Sequence, residues 1–208
     1  MDNKYKTVYP DVSVRSILIN HGRNEAGSYE SAAFFIRHDP SAHEFLFFGD
    51  VEPDSVAANP QTIDVWQVAA PKIPEKLSTI FIECSWPLGR QDDLLYGHLN
   101  PEHLAAELAV LAAEVVKVRK GNQTDSRSRP VRKKQKKNAV PLEDLRGALV
   151  GVRVFVIHCK DNLEGVSKVP IRHLIVQQVK ALVEEKGLGA EILAAEQGMR
   201  IGACGQYF

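Results

Sequence analysis

Four apolar segments of the 208-residue chain each end on a residue that can bind a metal ion or move a proton. These residues are His21, Asp50, Glu83 and His158. Buried strands that each place one polar group at the same end bring those groups together at one rim of a β-sheet. The sequence therefore predicts that the four side chains share one site.

Two imidazoles and a carboxylate from separate strands can hold two divalent metal ions about 3.5–4 Å apart. Such a pair lowers the pKa of a shared water and neutralises the charge that builds on a phosphoryl group. Asp50 suits the bridging position, because Gly49 before it lets the backbone approach and turn, and His21 and His158 suit terminal ligand positions. Taken singly, each has a plainer interpretation: a hydrogen-bonded histidine at a strand boundary, or a Gly-Asp turn.

A further histidine, His98, lies in the segment Tyr96-Gly97-His98-Leu99-Asn100-Pro101, directly before a helix start. A loop histidine beside a glycine is a candidate general acid, because imidazole side chains titrate near neutral pH. The plainer alternative is a histidine that caps the helix. The other four histidines are predicted to be surface residues: His38, His43, His103 and His173.

The order of predicted elements indicates an α/β protein in which helices cover a mixed sheet. Residues 1–12 are expected to form an extended segment, followed by one domain over 13–208. Strands are predicted at 13–20, 31–37, 44–49, 78–84, 149–158 and 191–194. Helices are predicted at 62–70, from Pro101 to about 118, and at 170–186.

The 26 basic and 26 acidic residues cancel, but they are unevenly spread, because residues 119–140 form a basic, polar insert. We interpret it as a disordered, solvated loop, with a nuclear localisation signal at Arg132–Lys137 as the alternative. Three cysteines without CxxC spacing argue against a disulfide framework or a structural zinc knuckle. Neither a membrane-spanning run nor a signal-peptide core is visible, so a cytoplasmic protein is expected.

Several segments, in the same order along the chain, resemble the class II cyclic-nucleotide phosphodiesterases. The resemblance covers most of residues 13–208 apart from the basic insert. It implies a metallo-β-lactamase-type fold, a divalent metal pair with zinc expected, and hydrolysis of 3′,5′-cyclic nucleotides, chiefly cyclic AMP, to the 5′-monophosphate. The matching segments are Ser31–Ile36, Leu46–Ser55, Ile80–Ser85, Leu95–Leu104 and Val154–Asp161.

The resemblance also implies a role for each candidate residue. His21 resembles a ligand of one metal, His158 a ligand of the other, and Asp50 the bridging ligand. His98 matches an acid near the leaving oxygen, and Glu83 matches a group that orients His98. From the residues alone, Glu83 is also open to interpretation as a buried acid paired with an arginine.

The signature of this family, a His-x-His-x-Asp-His run, is absent, since no two histidines of the chain are separated by a single residue. The chain is therefore expected to form the C-terminal half of an αββα sandwich. We expect it to bind metal weakly and to hydrolyse cyclic AMP little or not at all alone. Pairing with the missing N-terminal half, or formation of a homodimer, is expected.

Two other functions stay open. The first is a metallohydrolase of the tRNA 3′-processing type, whose RNA would contact the basic run. That run lacks interleaved aromatic residues for base stacking, so nucleic acid is not the expected partner. The second is a non-catalytic regulatory remnant, which the loss of the main metal motif would fit.

Overall fold

The seven strands of the protein form one sheet in sequential order, in a computed structural model that describes residues 4–25, 27–124, 140–160 and 169–202. Strands β1 to β4 pair antiparallel, and β4 to β7 pair parallel, so the predicted mixed α/β sheet is confirmed. The strands are β1 (Lys6–Tyr9), β2 (Val12–Asn24), β3 (Gly27–His38), β4 (His43–Phe48), β5 (Leu77–Glu83), β6 (Arg153–Ile157) and β7 (Glu191–Ala194).

Each parallel connection passes through a helix, as crossovers between parallel strands require. The helices are α1 (Thr62–Ala69), α2 (Pro101–Thr124) and α3 (Ile171–Glu185), with short 3₁₀ turns at Ala70–Lys72, Asp92–Leu94 and Leu142–Leu145. Among the described residues, no helix combines the length and the apolar character that crossing a bilayer needs.

Several predicted boundaries differ from the structure. Strand β2 runs to Asn24 instead of ending at residue 20, and β3 begins at Gly27 instead of at residue 31. The extended segment 1–12 contains the edge strand β1. Strand β6 begins only at Arg153, because Gly151 has φ +87° and the chain turns just before it. Helix α2 continues to Thr124, past the predicted start of the basic insert at 119. The run Arg132–Lys137 lies outside the described residues.

The histidines predicted at the surface divide into two pairs. His38 is exposed and the His173 side chain is 40% exposed, as expected. His103 is only 13% exposed, with Nε2 3.4 Å from a carboxylate oxygen of Asp92. His43 is half-buried, and its Nδ1, like that of His103, is buried without a hydrogen-bond partner. The surface prediction was therefore wrong for His43 and His103, because strand β4 and helix α2 each turn the side chain inward.

The two faces of the sheet differ in how they are covered. Alternate side chains such as Leu46, Phe48 and Ile80 are buried in the core with residues of α1, α2 and α3. The other face, which we call the open face, carries a cluster of phenylalanine rings from β4, β5 and β6, with Thr79 and Ile201 beside them. Phe47 is 38% exposed, and the Phe81 ring lies 5.8 Å from Phe45, 6.1 Å from Phe47 and 5.2 Å from Phe155, between centroids.

Candidate metal centre

The carboxyl ends of four strands meet at one rim of the sheet. Strands β2, β4, β5 and β6 run in the same direction, since β2 and β4 are both antiparallel to β3. This direction brings His21, Asp50, Glu83 and His158 together, and the loop before α2 adds His98. One ligand-type atom from each of Asp50, Glu83, His98 and His158 lies within 4.8 Å of the others.

The Asp50 carboxylate lies between two imidazoles. Its Oδ1 is 2.9 Å from Nδ1 of His158, and its Oδ2 is 3.4 Å from Nε2 of His21. Gly49 makes this position accessible, because its N–H bonds the Ala32 carbonyl at 2.9 Å and a Cβ there would lie 2.5 Å from Oγ of Ser31. A carboxylate that presents one oxygen to each imidazole has the arrangement of a bridging ligand.

His21 does not follow its strand, as the sequence suggested, but lies within β2 at a bulge between Asn20 and Arg23. Its Nδ1 is 3.0 Å from the Gly97 carbonyl. A carbonyl only accepts, so Nδ1 carries a proton, and Nε2 is the ring nitrogen on the side of Asp50 that a metal can bind. Metal-binding histidines usually bond a carbonyl or carboxylate in this way through the second ring nitrogen. The donor set therefore fits a divalent metal.

Glu83 is 1% exposed and accepts four hydrogen bonds. The donors are Val51 N at 2.9 Å and His98 Nδ1 at 2.8 Å on Oε1, and Ser85 Oγ at 2.7 Å and Leu99 N at 3.4 Å on Oε2. A carboxylate has about four acceptor positions, so these bonds leave no lone pair for a metal. The ionisable partner of Glu83 is thus His98, and the alternative of an arginine partner was wrong.

Both ring nitrogens of His98, which is 5% exposed, have partners. Nδ1 faces Glu83, and Nε2 lies 2.7 Å from Nζ of Lys160. An ammonium group only donates, so Nε2 accepts and the proton of the imidazole is on Nδ1. The helix-capping alternative was wrong, because Oδ1 of Asn100 caps α2 by accepting from His103 N at 2.9 Å.

The backbone of His158 has φ +55°, a left-handed conformation that is costly for a residue with a Cβ. Its imidazole is 43% exposed, and the ring centroid lies 5.1 Å from that of His98. Oγ of Ser85 is 3.4 Å from Nδ1 and 3.0 Å from the carbonyl oxygen of His158. These contacts fix the residue where its ring faces Asp50.

The segment that follows Asp50 is held against two helices. The Asp54 carboxylate accepts from three amides at the start of α1, those of Gln61, Thr62 and Ile63, at 2.8 to 3.0 Å. Glu107 of α2 accepts from Asp54 N at 3.0 Å and from Nε1 of Trp66 at 2.8 Å. Burial raises the pKa of Glu107, and the hydrogen bonds from Trp66 and Asp54 act in the opposite direction.

The five residues that the sequence predicted for the site are thus brought together, whereas three contributors were missed. They are the Gly97 carbonyl, the Ser85 hydroxyl and the Lys160 ammonium. All three lie inside the matching segments, Lys160 two positions after His158. No spacing rule marks a backbone acceptor or a single lysine, so only the fold could reveal them.

A family model for class II cyclic AMP phosphodiesterases matches residues 2–198 of the chain. The chain is 41% identical over 112 residues to a 3′,5′-cyclic-nucleotide phosphodiesterase of Schizosaccharomyces pombe, covering 53% of this chain and 32% of that protein. It is 29% identical over 190 residues to a 3′,5′-cyclic-nucleotide phosphodiesterase of Aliivibrio fischeri, covering 90% of this chain and 45% of that protein.

The fold is similar to that of unliganded yeast PDE1, with a TM-score of 0.70 at 25% identity. That similarity covers 94% of this chain and 47% of the yeast chain. The chain therefore spans less than half the length of the relatives that it matches.

Proposed function

The chain belongs to the class II cyclic AMP phosphodiesterase family, and on this premise we propose that it supplies one side of a metal site that hydrolyses 3′,5′-cyclic nucleotides. The predicted family and the predicted α/β fold, a mixed sheet covered by helices, are both confirmed. The observation that carries the proposed site is the Asp50 carboxylate between the imidazoles of His21 and His158. Cyclic AMP is the proposed substrate, its 5′-monophosphate the product, and cyclic AMP signalling in the cytoplasm the setting.

His21, Asp50 and His158 would hold divalent metal, and we propose zinc because imidazole nitrogens and carboxylate oxygens are its usual ligands. Bound metal supplies a water of lowered pKa and neutralises charge on the phosphoryl group. Contacts within the protein keep the ligand atoms of His21, Asp50 and His158 aligned. The Gly97 carbonyl holds the proton of His21 on Nδ1, and the Asp50 oxygens orient both imidazoles.

His98 and Glu83 would act on the leaving 3′ oxygen. The Glu83 carboxylate holds Nδ1–H of His98 at 2.8 Å, which directs Nε2 toward the rim of the site. When Nε2 takes up a proton, the adjacent carboxylate stabilises the imidazolium. That proton can then pass to the leaving oxygen, while Glu83 keeps the ring in place.

We further propose that a second sheet packs on the open face and contributes the His-x-His-x-Asp-His ligands. A contiguous aromatic face marks an interaction surface, and paired sheets bury such faces against one another. Phe45, Phe47 and Phe81 on this face remain partly exposed. A homodimer is the alternative, but it would only duplicate the ligands of this chain. Alone, the chain should bind metal weakly and hydrolyse little cyclic AMP.

The proposal is tested by joining this chain to the complementary half of a relative such as the Schizosaccharomyces pombe enzyme. We expect zinc-dependent hydrolysis of cyclic AMP by the joined protein, loss of hydrolysis in its Asp50→Asn variant, and little turnover by the chain alone. Cleavage of a tRNA precursor instead of cyclic AMP would establish the tRNA-processing alternative. A joined protein that binds no zinc in calorimetry would establish the non-catalytic remnant.

A further inference from the structure

Lys160 reaches the rim of the site from the segment after β6. Its backbone N–H donates to the Ser85 carbonyl at 3.0 Å, which fixes the start of the side chain. Its Nζ lies 2.7 Å from Nε2 of His98 and 5.1 Å from the centroid of the Trp86 ring. The ammonium group therefore makes two contacts in the site, and the backbone hydrogen bond fixes where its side chain begins.

The indole of Trp86 supports this position. The guanidinium of Arg90 lies 3.6 Å from the Trp86 ring centroid, and Arg90 Nε donates to the Leu94 carbonyl at 2.6 Å. Nε1 of Trp86 donates to the Leu95 carbonyl at 3.2 Å. A ring fixed at its edge and covered by a cation gives Lys160 a rigid surface for a cation–π contact.

Among the residues that the structure describes, the contacts of Lys160 leave part of its donor capacity unused. An ammonium group has three N–H donors, and His98 takes one of them. Of the two carboxylates in the site, Glu83 is already saturated, and Asp50 faces the two imidazoles. A half-buried cation beside the proposed general acid thus has donors available for an anionic ligand.

We propose that Lys160 binds a non-bridging phosphoryl oxygen of the nucleotide, which deepens and rests on the proposed function. The phosphoryl oxygen would replace Nε2 of His98 as the acceptor of the Lys160 ammonium. Nε2 is then free to take up a proton from solvent, which a general acid needs, and to face the leaving oxygen. Arrival of the phosphate thus releases the atom of His98 that the reaction uses, so Lys160 couples substrate binding to the exposure of that atom.

The first test is binding of 5′-AMP and of adenosine to the full chain in an excess of zinc, measured by calorimetry. Lys160→Met should weaken 5′-AMP binding by about 10- to 100-fold, the range for a lost hydrogen bond to a charged group. Lys160→Arg should retain most of the affinity, and adenosine, which has no phosphate, should bind all the proteins alike. Lys180→Met is the matched control, because this lysine is 60% exposed on α3.

The second test uses no metal and no turnover. Inorganic phosphate is titrated into the ¹⁵N-histidine-labelled chain while the Nε2 resonance of His98 is followed. In the wild type the resonance should shift and saturate, because His98 loses the hydrogen bond from Lys160; in Lys160→Met it should not respond.

A wild-type chain without 5′-AMP binding, or a Lys160→Met variant that binds as tightly as the wild type, would overturn the role of Lys160. An unresponsive His98 resonance in the wild type would do the same. The proposed function fails separately, if the joined protein binds no zinc or does not hydrolyse cyclic AMP. In that case the phosphate titration still decides whether Lys160 binds phosphate.

Discussion

The Glu83 carboxylate and the His98 imidazole share a hydrogen bond of 2.8 Å, with 1% and 6% of their side chains exposed. Glu83→Gln would place an amide NH₂ among groups that all donate toward this position. We expect the free energy of unfolding to fall by about 2 kcal/mol, since a buried donor is left without an acceptor. Urea unfolding measures this change.

The control for that variant is Glu185→Gln, at the exposed end of α3. Surface substitutions of this kind change stability by at most about 0.5 kcal/mol. Equal stability of the two variants would contradict the finding that the Glu83 carboxylate accepts four hydrogen bonds.

Asp50→Asn should weaken zinc binding by at least about 10- to 100-fold, the range known for weaker, supporting contacts of metal sites. The amide offers only one acceptor oxygen, so it cannot face both His21 and His158 as the carboxylate does. Equilibrium dialysis against zinc measures the change. Asp64→Asn, on the exposed side of α1, is the control and should bind zinc as the wild type does.

Gly97→Ala should both destabilise the protein and weaken zinc binding. The position has φ +76°, and a Cβ there would lie 2.8 Å from the carbonyl carbon and oxygen of His21. We expect a loss of about 1–3 kcal/mol, because a left-handed residue and a backbone clash are combined. Thermal unfolding and zinc dialysis measure the two effects.

The control for Gly97→Ala is a glycine in helix α2, where the same substitution should stabilise the protein. At Gly121 a Cβ would meet nothing within 4 Å. Gly121→Ala should therefore raise stability by about 0.5–1 kcal/mol, the usual gain inside a helix. If Gly97→Ala also raised stability, the close approach of the Gly97 and His21 backbones would be disproved.

Asp39 should make stability depend on pH in the acid range. Hydrogen bonds from Ser13 Oγ at 2.7 Å and from Arg37 Nε at 2.8 Å lower the pKa of its carboxyl below the model-peptide value of 3.8. Because the pKa is lower in the folded protein, the ionised carboxylate stabilises the fold at every pH above the pKa that Asp39 has in the unfolded chain. That stabilisation is lost as the pH falls through the folded pKa.

The measurement compares unfolding free energies of the wild type and Asp39→Asn from neutral pH downward. The difference should be constant above about pH 5 and should shrink as the pH falls below the unfolded pKa of Asp39. Asp93→Asn, in an exposed turn, is the control. If the difference in unfolding free energy grew toward low pH, the pKa of Asp39 would be raised by folding, not lowered.

The strands and the gathering of the site residues could be predicted, because apolar runs ending on Asp50, Glu83 and His158 define parallel strand ends. The bulge that places His21 inside β2 could not, since the bulge depends on the close approach of Gly22 and Gly97, which are far apart in the sequence. The Lys160 contact likewise depends on how two loops meet.

The exposed aromatic surface of the described residues lies on a face of the sheet. Strand β4 carries the signal for this in its sequence, because Phe45 and Phe47 alternate with Leu46 and Phe48. A strand that is apolar on both sides is typical of a sheet buried on both faces. The periodicity of β4 therefore predicts a covered second face.

The open face also affects how long the protein persists in a cell. A newly made chain with Phe45, Phe47 and Phe81 partly exposed presents the kind of surface that chaperones bind and that leads to aggregation. Its survival would then depend on how soon a covering sheet arrives, rather than on its own folding equilibrium. The abundance of the chain would follow the supply of whatever covers that face.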